Sequence, residues 1–330
     1  LQLYRLTNTD VVLLEEEMNN LLKSIALLEQ ILSDEETLKT VMKDELKKVK
    51  KEYSYERKTE IKDEVLDISF DTTQIIPKED VIVVVTKEGY VKRVSLKSFA
   101  LSSDETLVKD QDYVIGLYEL NTLDTILLFT DKGNYVYIPV HELPDLKWKE
   151  LGKHISNIVK LESEEQIVYS MQVSDFDQNY YVTIFTENGL IKKSLISDFK
   201  CQRYSKPMMA IKLKDKDKVI SVVHGLCKEV FIVTKNGYAL WFDIEEVPTT
   251  GLKTSGVKAI NLKNDKVVSG NLFNKEAEHV TIITDKNTGK RVKISEFDKS
   301  TRTRKGLQII RDVKTNPYYI IDSYIVNNKE

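Results

Sequence analysis

The chain has 330 residues, with 49 Lys and Arg against 52 Asp and Glu, two cysteines and no run of about 18 apolar residues, so no membrane-spanning helix is expected and Cys201 and Cys227 read as free thiols of a reducing compartment. The start, LQLYRLTNTD, has no initiator Met, no basic stretch and no apolar stretch, which reads as a piece of a longer protein without a secretion signal. A formal net charge of −3 hides a gradient, from −6 over residues 1–79 and −7 over 80–185 to +10 over 186–330, and such asymmetry points either to a polyanionic partner for the basic part or to a solvated, Lys-rich surface.

The first predicted elements are two helices between about Leu6 and Val49. Leu14, Met18, Leu21, Ile25, Leu28 and Leu32 step by four and three along one stripe, the pattern of a helix that packs against a partner. Thr7 and Asp10 suit a capping box at its start. Ser33 to Glu36 offers a second cap, followed by Leu38, Met42, Leu46 and Val49 on a second helix. The charged stretch Lys50–Glu64 reads as a linker or frayed helix end. This assigns residues 1–60 to a helical coiled-coil end with its linker, and 61–330 to a β domain.

From Ile61 onward Val, Ile, Tyr and Thr dominate, as in strands. One unit recurs five times: VIVVVTKEGYVKRVSLKSF (81–99), TILLFTDKGNYVYIPVHEL (125–143), YVTIFTENGLIKKSLISDF (181–199), VFIVTKNGYALWFDIEEV (230–247) and VTIITDKNTGKRVKISEF (280–297). Its period of about 50 residues is that of radial β arrays. In every copy 13 positions separate the Thr (86, 130, 186, 234, 284) from a closing apolar residue (99, 143, 199, 247, 297), and three residues after the Thr stands Gly89, Gly133, Gly189, Gly237 or, in the fifth copy, Asn287. Asn is the residue that best replaces Gly where φ is positive, so each unit reads as a β-hairpin with one turn geometry. A polar, often basic loop follows each hairpin. A third stretch then comes in copies two to five (Ile155–Leu161, Met209–Leu213, Val257–Leu262, Leu307–Ile310), and after it a fourth (Ile167–Val173, Val219–Val223, Val267–Leu272, Tyr318–Val326). In the first copy Tyr113–Leu120 serves as the last strand. Four strands per repeat and five repeats predict a five-bladed array, closed so that no sheet edge is left exposed.

Catalytic chemistry finds no footing. His141, His154, His224 and His279 have no ligand spacing, no phosphate-binding or nucleophile-elbow motif occurs, and no nucleophile has a base in company. The chain reads as a binding module, without a metal or cofactor of its own.

The polar signal lies in the hairpins. Lys92-Arg93, Lys192-Lys193 and Lys290-Arg291 recur at one register in the first, third and fifth copies, where the others have Val136-Tyr137 and Leu240-Trp241. These pairs read either as edge charges that block aggregation or as contacts to a phosphate backbone. Basic loops extend the second reading: Lys200, Arg203 and Lys206 after the third hairpin, Lys253 and Lys258 after the fourth, and Arg302, Arg304, Lys305 and Arg311 after the fifth. No base-reading helix is visible, so the expectation is duplex binding with weak sequence preference, steep salt dependence and a bent path. Trp241 and Tyr137 could stack on bases, but packing between blades is the plainer role for them.

LQLYRLTNTDVVLLEEEMNNLLKSIALLEQIL resembles the end of the coiled-coil arm in the A subunits of bacterial type IIA topoisomerases, and the repeated V-x-V-x-T-x-x-G-Y-V-K-R unit is similar to their C-terminal blades. The resemblance covers nearly the whole chain. It implies a mainly β fold, a five-bladed β-pinwheel whose propeller-like, four-stranded blades exchange strands, preceded by an α-helical coiled-coil segment, with a rim that binds and bends duplex DNA. Gyrase members carry a Gln-Arg-Arg-Gly-Gly-type box after the first hairpin for wrapping DNA. Here the loop is ALSSDETLVKD (100–110), acidic and without Gly, with only degenerate versions at TGLKTSG (250–256) and TRTRKG (301–306). That departure resembles the topoisomerase IV branch, whose role is decatenation and relaxation. The remaining alternatives are a gyrase-type wrapping domain and a protein-interaction scaffold. By the same resemblance, the cleaving tyrosine's domain would precede Leu1, so no catalytic residue is carried over. ATP and Mg²⁺ would belong to the B subunit. The partners would be duplex DNA, that same B protein and another copy of the A chain, in the cytoplasm on the chromosome.

Overall fold

The computed structural model describes residues 9–56, 59, 76–102, 105–162, 165–201, 203–214, 216–274, 277–311 and 317–327. It divides into two compact units, Leu1–Phe70 and Asp71–Glu330. The cap expected at Thr7 and the strands expected from Ile61 lie outside the described residues.

The first unit holds two helices, α1 (Thr9–Ser33) and α2 (Glu35–Tyr53). Asp34 separates them: its extended backbone stops α1, and its carboxylate accepts from the Glu36 and Thr37 amides to cap α2, satisfying N–H groups that a helix start leaves orphaned. α2 runs four residues past Val49, with Lys50 and Lys51 in its last turn, where the helix dipole favours cations. Leu14, Met18, Leu21, Ile25 and Leu28 are 49–61 % exposed. The stripe read from the sequence is therefore uncovered within this unit.

The second unit is built of strands in five groups. They are β1 (Asp80–Thr86), β2 (Tyr90–Ser95) and β3 (Val114–Asn121); β4 (Thr125–Thr130), β5 (Asn134–Pro139), β6 (Lys153–His154) and β7 (Ile167–Val173); β8 (Tyr181–Thr186), β9 (Leu190–Leu195), β10 (Met208–Met209) and β11 (Val219–Gly225); β12 (Glu229–Thr234), β13 (Tyr238–Asp243), β14 (Val257–Lys258) and β15 (Val267–Phe273); β16 (His279–Thr284), β17 (Gly289–Lys293), β18 (Leu307–Gln308) and β19 (Ile320–Val326). The sheets run β3-β1-β2-β6, β7-β4-β5-β10, β11-β8-β9-β14, β15-β12-β13-β18 and β19-β16-β17.

Each sheet is thus a hairpin, its own return strand and a two-residue strand from the following repeat. This corrects the reading that placed the third stretch of each repeat in its own blade: β6, β10, β14 and β18 each cross to the blade before. Strand exchange, expected from the family resemblance, is present. The fifth blade has three strands among the described residues.

The repeat's fixed residues each have a visible task. The Thr86 hydroxyl accepts from the Tyr90 amide across the turn, and Thr130, Thr186 and Thr234 do the same. The glycines three residues on have φ between 80° and 92°, and Asn287 has 55°, the left-handed region that Gly and Asn tolerate best. The exchanged segment docks on that turn: Ile155, Ala210, Ala259 and Ile309 donate their N–H to the carbonyls of Gly89, Gly133, Gly189 and Gly237. Each hairpin is followed by a short helical turn, α3 (Leu96–Ala100) in the first blade and a 3-10 turn in the others. It swings Leu143, Phe199, Val247 and Phe297 into the core.

Four of the hydrophobic clusters lie between blades, and a fifth, of Ile82, Val84 and Val94 under Trp148, covers the other face of the first blade. Ile126 and Leu128 of β4 pack with Val81, Val83 and Val85 of the first blade, whereas Leu127 and Phe129 on the opposite face pack with Val182 and Ile184 of the third. Two further clusters join the third blade to the fourth and the fourth to the fifth. A central strand covered on both faces reads as a continuous apolar run, which is why TILLFT and VIVVVT lack alternation. β16 alternates buried with half-buried residues, the pattern of one covered face. The sealed ring expected from edge protection is accordingly not completed by sheet packing at the fifth blade.

Candidate nucleic-acid interface

The basic hairpin pairs are not where a phosphate can reach them all. Lys92 and Lys192 are 2 % and 1 % exposed, which corrects the reading of both as DNA contacts. The Lys92 ammonium donates to the Trp148 and Glu150 carbonyls at 2.7 and 2.6 Å. That of Lys192 donates to Ala210 and Leu252 at 2.7 and 2.6 Å. Burial lowers both to about 8, since loss of water disfavours the charged form.

Their neighbours on the other face are half-buried. Arg93 donates to the His141 carbonyl at 2.9 Å and stands 4.0 Å from Asp145, and Lys193 donates to Ile244 at 3.2 Å over the Tyr181 ring. Lys290 and Arg291 stay exposed on the three-stranded blade, donating to Ile309 and Asn327 carbonyls. A signal for the buried slot was present in the sequence. At the same register the second and fourth copies carry Val136 and Leu240, both buried.

The loop residues do face solvent. Lys200, Arg203, Lys206, Lys253, Lys258, Arg304, Lys305 and Arg311 are exposed, and Arg302 is half-buried. Lys200 lies 3.7 Å from Asp177, a surface pair of small worth. Lys258 donates to Asn261, and Lys305 sits 3.9 Å over the Tyr238 ring. Arg302 is fixed from two sides, its amide donating to Glu246 and its guanidinium to the Lys258 carbonyl.

These loops touch one another in series. The Lys212 amide donates to Thr254 O at 3.0 Å, joining the segment exchanged from the third repeat to the loop after the fourth hairpin. Thr303 N to Ala259 O at 2.7 Å and Asn261 N to Arg304 O at 2.9 Å join the segment exchanged from the fourth repeat to the loop after the fifth hairpin. The result is a series of basic loops from three consecutive repeats, linked through the exchanged segments by backbone hydrogen bonds. The corresponding loop of the first blade carries Glu105, Asp110 and Asp112, and that of the second mixes Asp145 and Glu150 with Lys147, Lys149 and Lys153. The hairpin pairs alternate between copies, whereas the loops are acidic in the first repeat and basic in the third to fifth.

The two candidate stacking aromatics are half-buried against neighbouring side chains. Tyr137 lies between Phe176 and Tyr204, and Trp241 rests on Phe273 with its indole N–H on Glu229. Among the described residues no group of three or more His, Cys, Asp or Glu could hold a metal ion, and no helix is long and apolar enough to cross a membrane.

A family model described as "DNA gyrase C-terminal domain, beta-propeller" matches residues 80–103, 124–174, 180–223, 228–274 and 278–327, one segment for each hairpin. The chain is 41 % identical over 324 residues to the A subunit of DNA topoisomerase 4 from Bacillus subtilis (strain 168), covering 97 % of this chain and 40 % of that protein. To the protein of the same name from Staphylococcus aureus it is 38 % identical over 331 residues, covering 100 % and 41 %. The chain therefore spans about two fifths of the curated relatives it matches. A crystal structure of the C-terminal domain of DNA topoisomerase IV superposes with a TM-score of 0.74 at 45 % identity, over 77 % of this chain and 79 % of that one.

Proposed function

The chain belongs to the family of DNA gyrase C-terminal domains, and on that footing we propose that its second unit binds and bends duplex DNA without sequence preference, as the C-terminal part of a topoisomerase IV A subunit. The observation that carries this reading is the run of basic loops of the third, fourth and fifth repeats, linked through the exchanged segments by backbone hydrogen bonds. Cations placed along a path neutralise successive phosphates and release counterions, which yields affinity without base readout. The duplex follows the basic half of the rim, so it is bent across three blades and not wound around all five. Bending over 20–30 base pairs costs a few kcal/mol, offset by the added phosphate contacts. The acidic loop of the first blade repels the duplex and limits the path. In the whole enzyme, with the B subunit supplying ATP and Mg²⁺ chemistry and another copy of the A chain completing the dimer, the bent segment supports decatenation and relaxation on the bacterial chromosome.

The test is a binding series with a mixed-sequence duplex of about 30 base pairs from low to moderate salt. Log affinity is expected to fall linearly with log salt. Arg203→Gln, Lys253→Gln and Arg304→Gln should each flatten the slope by about 0.9, whereas Lys147→Gln should leave it unchanged. No binding at low salt, a flat salt response, or equal slopes for Lys147→Gln and Arg304→Gln would refute the reading.

A further inference from the structure

The buried Lys192 has no place in the DNA path, yet it stands between two of the loops that make that path. Its ammonium holds Ala210 O, which follows the loop of Lys200, Arg203 and Lys206, and Leu252 O, next to Lys253. The same face of β9 grips the second loop at further points: Ser194 Oγ donates to Thr250 O at 2.8 Å, and the Thr250 amide donates to Lys193 O at 2.9 Å. We propose that Lys192 is a positioning residue of the rim, fixing the spacing of two consecutive basic loops through its carbonyl contacts while touching no DNA itself.

This deepens the duplex-binding reading and rests on it. An ammonium carries three donors on a flexible stem and can hold two carbonyls from different segments. A methionine offers none, and a guanidinium presents a planar fork of different reach. Lys92 repeats the device in the first blade, where Trp148 O also accepts from Thr106 of the preceding loop. The fourth blade has Leu240 at this register, and there Lys299 ties the next loop down from outside, on Glu229 and Asp243. Phosphates on a duplex have fixed spacing. A loop free to wander meets them one at a time and pays ordering entropy on binding, so affinity falls although the number of surface cations is unchanged.

Lys192→Met and Lys192→Arg are compared with Lys253→Gln in the same salt series, with hydrogen exchange read at residues 250–256. Lys192→Met is expected to lose about tenfold in affinity at fixed salt with an unchanged salt slope, and to speed exchange in 250–256. Lys192→Arg should not restore affinity. Lys253→Gln should flatten the slope by about 0.9. Ser194→Ala, a milder cut of the same tether, should move exchange and affinity in the same direction, so the proposal stays open to refutation even when Lys192→Met fails to fold. A flattened slope in Lys192→Met with rescue by Lys192→Arg would make Lys192 a charge felt by DNA and overturn the proposal. Unchanged exchange and affinity in Ser194→Ala and in Lys192→Arg would overturn it as well. Absence of wild-type binding would remove the DNA reading alone, because the exchange readout still decides whether Lys192 holds the loop.

Discussion

Lys92 and Lys192 carry their ammoniums where water does not reach, and this writes a pH dependence into the fold. Burial lowers each from 10.5 to about 8, while an unfolded lysine keeps its proton up to its ordinary value. Between these limits the unfolded chain binds more protons than the folded one, so stability rises with pH across that window. Below pH 8 both states are protonated and the full cost is present, about 1.4 kcal/mol for each unit of lowering. Tyrosines act in the opposite sense. Burial raises Tyr169 and Tyr204 to about 12, and the hydrogen bond to Asp322 followed by burial does the same for Tyr324, so above about pH 10 the folded state holds the extra protons and loses stability as they leave. The urea midpoint of unfolding is expected to climb between about pH 7.5 and 9.5 and to turn down beyond about 10.5, with a smaller climb in Lys192→Met. A midpoint that stays level from 7.5 to 9.5 in the wild type would show that the two ammoniums are solvated.

At the scale of the element, the turn residue and the exchanged strand explain each other. A Cβ built on Gly237 would stand 2.3 Å from Ile310, and on Gly189 3.0 Å from Ile260, because the segment from the next repeat lies against the turn. No such segment lies on the fifth hairpin among the described residues, and there the turn carries Asn287. Gly237→Ala therefore meets both a positive φ and an occupied space, and should cost more than about 2 kcal/mol. Asn287→Ala meets only the backbone preference, a cost of about 1 kcal/mol. Urea unfolding of the two variants checks this; equal losses would mean that the fifth turn is covered as well. The hairpins themselves were readable, since Thr, turn Gly and closing apolar residue recur at fixed offsets. The exchange was not readable from pattern, because β6, β10, β14 and β18 are two residues long and have no period to show. Pairing across blades is also a non-local choice that offsets do not encode, and only the resemblance to a known family carried it. The buried lysines were misread for a related reason. Lysine is almost never fully buried, and only Val136 and Leu240 in the matching slots spoke against that default.

At the scale of the whole array, the seam between the first and fifth blades differs from the other four. The fourth residue of each return strand faces the preceding blade: Ser170 accepts from Tyr118, and the Ser323 carbonyl accepts from Ser269. Ser170, Val222 and Ser323 are 1 %, 3 % and 1 % exposed, but Leu117 of β3 is 53 % exposed, because among the described residues no blade is packed on the face it presents. On the other side of that seam β16 has only one covered face, and Tyr324 is exposed too. Among the described residues the fifth blade receives no exchanged strand, and an unpacked seam can shift without breaking a core. Leu117→Ser should then change stability by less than about 1 kcal/mol, as for a surface site. Val222→Ser, at the same register in the third blade, loses buried contacts and gains a buried hydroxyl, at a cost on the order of 2 kcal/mol or more. Urea unfolding of the two variants side by side measures the seam directly. If Leu117→Ser costs as much as Val222→Ser, the first and fifth blades are packed in solution, and the proposed duplex path would have to be redrawn to pass the acidic loop of the first blade.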